Sequence, residues 1–597
     1  MQKYSVNQHL IETLLAWVTS GEIAIPEIQR PFVWDASQVR DLLDSLYQGY
    51  PVGYIIVWKN PDVRLKDGSK SAGKKVLIDG QQRVTALTAA LLGQSVVNKE
   101  YRQVRIRIAF NPKERRFEVT NPAIEKDKTW IPDIAPIMQG KVRLLKFIHA
   151  YTNDNPDADE DQLEETISNL IGITKKQIGM IELAADLDIE TVTEIFIRIN
   201  REGVTLSQAD FAMSKIAADE IHGGNVLRKA IDYFCHLAVA PEFYGHIEQN
   251  DKSFSKTDYF KTMSWLRNEN DDLYDPSYSD MLRVAFTSQF SRGKLADLVG
   301  LVSGRNFETR SYEESIAEES YVKLRRGVFR FMNETNFKHL LMIVNSAGFV
   351  NSSLIRTRSP MNFAYILFLT LKEAKYKPND IERYIRRWFV FSLLTGRYSA
   401  SMETRFDQDI REIDENGFGD YLERMEKVEL SDAFWDGGLI QTLTTSNGNH
   451  PAFKTFLAAQ VQDNSRGFLS KEISVRSMLE HRGDVHHIFP RDYLKKNFGL
   501  TPSRYNQVAN YAYTQQEINI AIANSPPAEY MKKIRNQCDT KRPVFGGIVE
   551  LCDLRRNFEE NAVPISILDE EPPSYDEFLR QRRKLMAARI RKYYESL

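Results

Sequence analysis

The apolar run Val76-Leu77-Ile78 passes without a loop into Asp79-Gly80 and then into Gln81 to Leu92, whose apolar residues recur at helical spacing. A strand that turns straight into a helix through one glycine commits this part of the chain to mixed α and β structure. The neighbouring segments agree. Leu10, Leu14, Leu15 and Val18 share a helical face, Glu22 to Pro26 reads as extended, and a helix beginning near Ser37 carries Val39, Leu42, Leu43 and Leu46 until Gly49 and Pro51 stop it. Tyr54 to Trp58 reads as a second buried strand, with Lys66 to Lys75 as the loop between the two. The junction has a chemical consequence as well. A helix start presents unpaired N–H groups, Gly80 lets an anion approach the backbone, and Arg83 in the first turn can fork onto phosphate. A plain turn, with Asp79 as cap and Arg83 on the surface, satisfies the same short pattern.

With 597 residues, the chain exceeds what one core organises. The reading is an α+β multidomain protein with three parts: 1–215, a helical connector over 216–450, and 451–597, which ends in a basic helix. Gln441 to His450, rich in Thr, Ser, Asn and Gly, is the linker or surface loop before the last part. Three widely spaced cysteines, Cys235, Cys538 and Cys552, argue against a disulfide scaffold or a cysteine-ligated zinc ribbon. The first residues carry no signal-peptide pattern and no apolar run reaches membrane-spanning length, so the expected location is the cytoplasm. A net charge of −2 does not announce a nucleic-acid binder. Any such surface must be local, and two basic runs offer one: Arg102, Arg105, Arg107, Lys113, Arg115 and Arg116, and Arg580, Arg582, Arg583, Lys584, Arg589, Arg591 and Lys592. Either run is more often a solvated face than a nucleic-acid site.

Asp484-Val485-His486-His487 places two of the ten histidines side by side in a strand-like segment. Strand neighbours point to opposite sides, so both cannot be ordinary core residues. Asn510 follows, then Tyr511-Ala512-Tyr513 in extended character, then a helix from Gln516 that carries Asn519. One exposed and one hydrogen-bonded histidine would account for the dipeptide alone.

Taken with Ile25 to Trp34, which holds Gln29-Arg30, and Phe196 to Ser207, which holds Asn200, the Asp79-Gly80-Gln81-Gln82-Arg83 segment resembles the DGQQR domain of GmrSD-type restriction systems. That domain is related to the ParB/sulfiredoxin fold, and the resemblance spans about residues 1–215. It implies binding and hydrolysis of a nucleoside triphosphate (GTP, ATP or another) with a divalent ion. Asp79 would act near the metal or the attacking water, and Gln81, Gln82 and Arg83 would contact phosphates with Gly80 at the turn. Gln29, Arg30 and Asn200 would complete the pocket, and Trp34 would stack on a base or lie in the core. Residues 451–597 resemble the HNH, or ββα-metal, nuclease domain of the same proteins. There His487 would be the general base, His486 and Asn519 the ligands of Mg²⁺ or Mn²⁺, and Asn510 the residue that holds the loop and orients His487. Imidazole and amide ligands would also accept Zn²⁺ or Ni²⁺. Asp484 is a further ligand or, more in keeping with its strand position, structural.

The resemblance implies a nucleotide-regulated DNA endonuclease of a type IV-like restriction or anti-phage system, with modified phage DNA as substrate. A different class stays open: a nucleotide-binding DNA sensor or adaptor whose last domain grips DNA without cutting. A structural zinc site at the histidine pair lacks the usual cysteines. Whether the chain forms a homodimer is not legible.

Overall fold

Val39, Leu42, Leu43 and Leu46 are buried on one face of a helix over Ala36–Gln48, as their spacing predicts. Asp35 opens that helix by accepting from the Gln38 N–H, the Gln38 side chain reciprocates, and Gly49 closes it in the left-handed conformation. The computed structural model describes residues 3–24, 34–59, 75–97, 103–185, 187, 208–217, 219, 221–269, 273–481 and 483–597. It divides into two compact units, Met1–Ser207 with Met213–Asn225, and Gln208–Ala212 with Val226–Leu597. The boundary expected at 450 falls inside the second unit. No helix among the described residues is long and apolar enough to cross a membrane.

The strands, in chain order, are β1 (Tyr4–Leu10), β2 (Ile23–Ala24), β3 (Tyr54–Lys59), β4 (Lys75–Asp79), β5 (Val96–Val97), β6 (Gln103–Val104), β7 (Ile108–Asn111), β8 (Arg116–Val119), β9 (Gln177–Leu183), β10 (Asp484–His487) and β11 (Tyr511–Thr514). The first unit is built on a mixed five-stranded sheet in the order β1-β9-β3-β4-β2. β3 runs antiparallel to β4 and parallel to β9. Helices α1 (Ile11–Ser20), α2 (Ala36–Gln48) and α3 (Gln81–Leu91) bury Leu14, Leu15, Leu43 and Leu87 in the same core as Ile55, Val57 and Leu77.

Two local expectations need correcting. Leu10 ends the edge strand β1 and does not belong to the first helix. The helix after Gly80 is not amphipathic: every residue from Val84 to Leu91 is buried. Alanine and threonine make that possible, because small side chains let neighbours close in on all sides, and the Thr88 hydroxyl donates to the Val84 carbonyl.

The second unit begins as helices, among them α4 (Tyr278–Phe290), α5 (Glu314–Met332), α6 (Arg358–Glu373) and α7 (Pro378–Thr395). Their contacts bury Phe286, Phe331, Tyr365 and Trp388. Beyond them lie α8 (Pro451–Gln462), strand β10, α9 (Arg491–Phe498), strand β11, α10 (Gln516–Ile522), α11 (Pro527–Thr540), α12 (Leu551–Glu560) and α13 (Tyr575–Glu595). The stretch 441–450 is a fastened loop, because the Thr445 carbonyl accepts the Val508 N–H at 2.9 Å.

Candidate functional site

In the first unit, Asp79 ends β4 opposite Ile56, where the pairing with β3 shifts register. Gly80 follows with φ 92°, a region other residues enter at a cost, and a Cβ there would come within 3.1 Å of Ile55. No side chain caps the helix start. The N–H groups of the first turn therefore keep their electropositive character. Gln82 accepts from the Trp34 backbone N–H at 3.4 Å. Arg83 is only partly exposed, and its guanidinium lies on Gly53 and donates to the Tyr54 carbonyl. One edge of the fork is thus spent on backbone. Gln29, Arg30 and Asn200 lie outside the described residues.

In the second unit, β10 and β11 pair antiparallel with His486 opposite Ala512 and His487 opposite Tyr511. Helix α10 follows β11 and brings Asn519 to His486. The order strand, loop, strand, helix is the one the residue pattern predicts. Alternation along β10 separates the two histidines. His486 is 2% exposed, and its Nδ1 lies 2.7 Å from Asn519 Oδ1. Because that oxygen accepts, Nδ1 carries the proton and Nε2 the lone pair, and Nε2 is buried with no hydrogen-bond partner among the described residues. Burial pushes the imidazole down to about 4; the bond to Asn519 opposes this, and the charges of His487 and Arg582 add to it.

His487 is half-buried. Its Nε2 lies 3.0 Å from Asn506 Oδ1, and its ring meets Tyr511 edge-on at 5.0 Å. By the same reasoning Nε2 donates and Nδ1 holds the lone pair. Burial lowers its pKa, the bond to Asn506 works against the shift and Arg491 adds to it, so His487 is neutral at pH 7.

Asn510 is fully buried and brackets the chain just past the histidines. It accepts from Phe489 N–H at 2.8 Å and donates to the carbonyls of Phe489 (3.0 Å) and Tyr505 (3.1 Å), while its own carbonyl accepts Ile488 N–H at 2.9 Å. Its contacts are those of a residue that holds the loop.

Sequence reasoning gave Asn506, Tyr530 and Tyr575 no role at this site, and read Arg582 only as part of a basic run. Tyr530 donates to the Ile488 carbonyl and Tyr575 to those of Arg504 and Tyr505. Arg582 is buried and donates to the carbonyls of Ala509 and Asn561. These residues lie up to 73 positions from their partners, and no local pattern marks those contacts. The arginines of α13 are correspondingly not a free basic stripe. Arg580 pairs with Glu577, Arg589 with Asp463, and Arg591 with Asp432 and Glu595. In the earlier basic run, Arg105 pairs with Asp133, Arg107 with Glu125 and Arg116 with Glu114.

No group of three or more His, Cys, Asp or Glu that could hold a metal ion exists among the described residues. Among the described side chains, His486 and Asn519 are close enough to serve one cation if the imidazole proton moves to Nε2. Two neutral donors fit a cation that takes its remaining ligands from water and substrate oxygens.

Residues 11–217 match the family model of the GmrSD restriction endonuclease N-terminal domain. The match lies within the first unit and its border with the second. Over nearly its whole length the chain is also similar to the Uncharacterized protein MJ0686 of Methanocaldococcus jannaschii, at 20% identity with 96% of each chain covered.

Proposed function

We propose that this protein is a nucleotide-regulated, metal-dependent DNA endonuclease of a restriction or anti-phage system, acting on modified DNA. The restriction-endonuclease family match of residues 11–217 supports the class. The observation that carries the chemistry is the strand–strand–helix arrangement of β10, β11 and α10, which fixes a neutral His487 beside a buried His486 and Asn519.

His487, neutral and oriented by Asn506, takes a proton from the attacking water at Nδ1. Asn510 keeps the loop that follows in place. His486 and Asn519 would hold a divalent ion, which supplies Lewis-acid stabilisation of phosphate and leaving-group charge. In the first unit, Gln81, Gln82 and Arg83 at the uncapped helix start bind nucleotide phosphates. Asp79 acts beside the metal or the hydrolytic water, and Gln29, Arg30 and Asn200 complete that pocket.

A rival of a different class is a nucleotide-binding sensor that grips DNA without cutting it. A cleavage panel separates the two: unmodified, base-modified and phosphorothioate DNA, with Mg²⁺ or Mn²⁺ and with each nucleotide present or absent. The endonuclease cuts at least one substrate and loses cutting in His487→Ala. Binding without cutting under every condition establishes the sensor. Equal rates with and without nucleotide, and in Arg83→Ala, would remove the regulatory link.

A further inference from the structure

The second unit contains a cavity of about 400 Å³ whose lining includes Asp275, Ser352, Ser353, Arg356, Arg358 and Asn449. Its lining carries two guanidinium groups, Arg356 and Arg358, and one carboxylate, Asp275. Arg358 lies 3.3 Å from Asp280, whose carboxylate is also engaged by Ser277 and Asn362. Arg356 is exposed and has no ion-pair partner among the described residues. Lys454, in the first turns of α8 just past Asn449, is 8% exposed and likewise has no carboxylate partner among them. Burial, with the charge of Arg356 added, lowers its pKa. Burying Lys454 as an ammonium near the Arg356 guanidinium is costly, and an anion bound beside them would offset that cost. The hydroxyls of Ser352 and Ser353 and the amide of Asn449 add neutral donors to the same wall.

The cavity adjoins the histidine site through a short chain of contacts. Asn449 follows Gly448, where an added Cβ would lie 3.6 Å from the Tyr511 ring. Phe453 of α8 packs 6.1 Å from that ring, and Tyr511 is the ring that meets His487. A polynucleotide strand whose reacting phosphate sat at His487 would carry neighbouring phosphates past Tyr511 toward Arg356.

We infer that Arg356, Arg358 and Lys454 form a phosphate subsite for the DNA strand that flanks the bond at His487. The inference rests on the DNA-cutting reading above, and it commits the cavity to backbone phosphodiester, with nucleotide phosphate as the competing source. Phosphate contacts of this kind position a strand without reading its bases.

The test is equilibrium binding of the full chain to a fluorescent duplex in EDTA, so that cutting is silent, over a series of salt concentrations. Each phosphate contact removed should lower the slope of log K against log salt by about one. Arg356→Gln is expected to show that drop together with weaker binding, and Lys454→Met the same. Lys427→Gln, an exposed lysine paired with Glu423, should change neither. Arg356 is exposed, so its variant decides the matter if Lys454→Met melts early. Unchanged affinity and slope in both variants, beside a wild type that binds and cuts, would overturn this inference alone. Loss of ATP binding with DNA binding intact would overturn it in favour of a nucleotide site. A wild-type chain that neither binds nor cuts any DNA would remove it together with the endonuclease reading.

Discussion

The turn at Asp79 to Arg83 and the histidine pair at 486 and 487 build their chemistry by opposite means. At the turn, a left-handed glycine and an uncapped helix start give electropositive character from the backbone itself. At the histidines, the backbone only sets alternation, and every orienting contact comes from elsewhere in the chain. Asn519 holds His486, Asn506 holds His487, and Asn510 holds the segment after both. The first kind of site tolerates side-chain change and fails on backbone change. The second depends on a network of buried amides, and removing a member leaves its partners unsatisfied.

The largest expected effect is on rate. His487→Ala should reduce DNA cleavage about 10²- to 10⁴-fold, the range of a general base, with its melting temperature and nucleotide affinity close to wild type. Single-turnover cleavage beside a thermal melt checks this; a retained rate would break the assignment of the base. Next is pH. His486 is held near 4 when folded, against its ordinary 6.5, so below pH 6.5 the unfolded chain takes up a proton that the fold refuses. Its contribution to stability is full above 6.5 and disappears as the pH falls toward 4, amounting to about 3 kcal/mol. Denaturant titrations of wild type and His486→Gln across that window should differ in slope. His236, also held down to about 4 by burial, is common to both proteins and cancels.

Asn510→Ala strands the Phe489 N–H and two carbonyls in the interior, and should cost about 2–3 kcal/mol in the denaturant midpoint. A neutral result would show that the loop holds itself. The smallest effect belongs to the turn. Gly80→Ala must enter the left-handed region and press on Ile55, for about 1–2 kcal/mol. Nucleotide affinity measured well below the melting temperature should fall by more than that stability loss explains, because the N–H groups themselves are displaced.

Much of this was legible from residue order where contacts are local. The spacing of Val39, Leu42, Leu43 and Leu46 marks α2, and His486, His487, Asn510 and Asn519 fall around two strands and a helix in the expected sequence. Strand β1 was missed because Tyr4 to Leu10 is mostly exposed: it is held by pairing with β9, and hydrophobic alternation does not record pairing. Helix α3 looked one-sided because Thr85 and Thr88 count as polar, yet both are buried. Asn506 was invisible because its importance lies in reaching a histidine nineteen residues back. The basic helix α13 misled for a related reason. Composition reports its charges, and only the fold shows that Arg582 points inward onto backbone carbonyls.

That inward-pointing arginine also bears on the order in which the molecule is made. Both histidines and Asn519 leave the ribosome long before Tyr575 and Arg582, the residues that tie down the carbonyls of Arg504, Tyr505 and Ala509. Without that helix the loop between β10 and β11 would lack these three anchored carbonyls. The setting of the histidines therefore depends on side chains about seventy positions downstream of that loop, which touch neither imidazole by hydrogen bond.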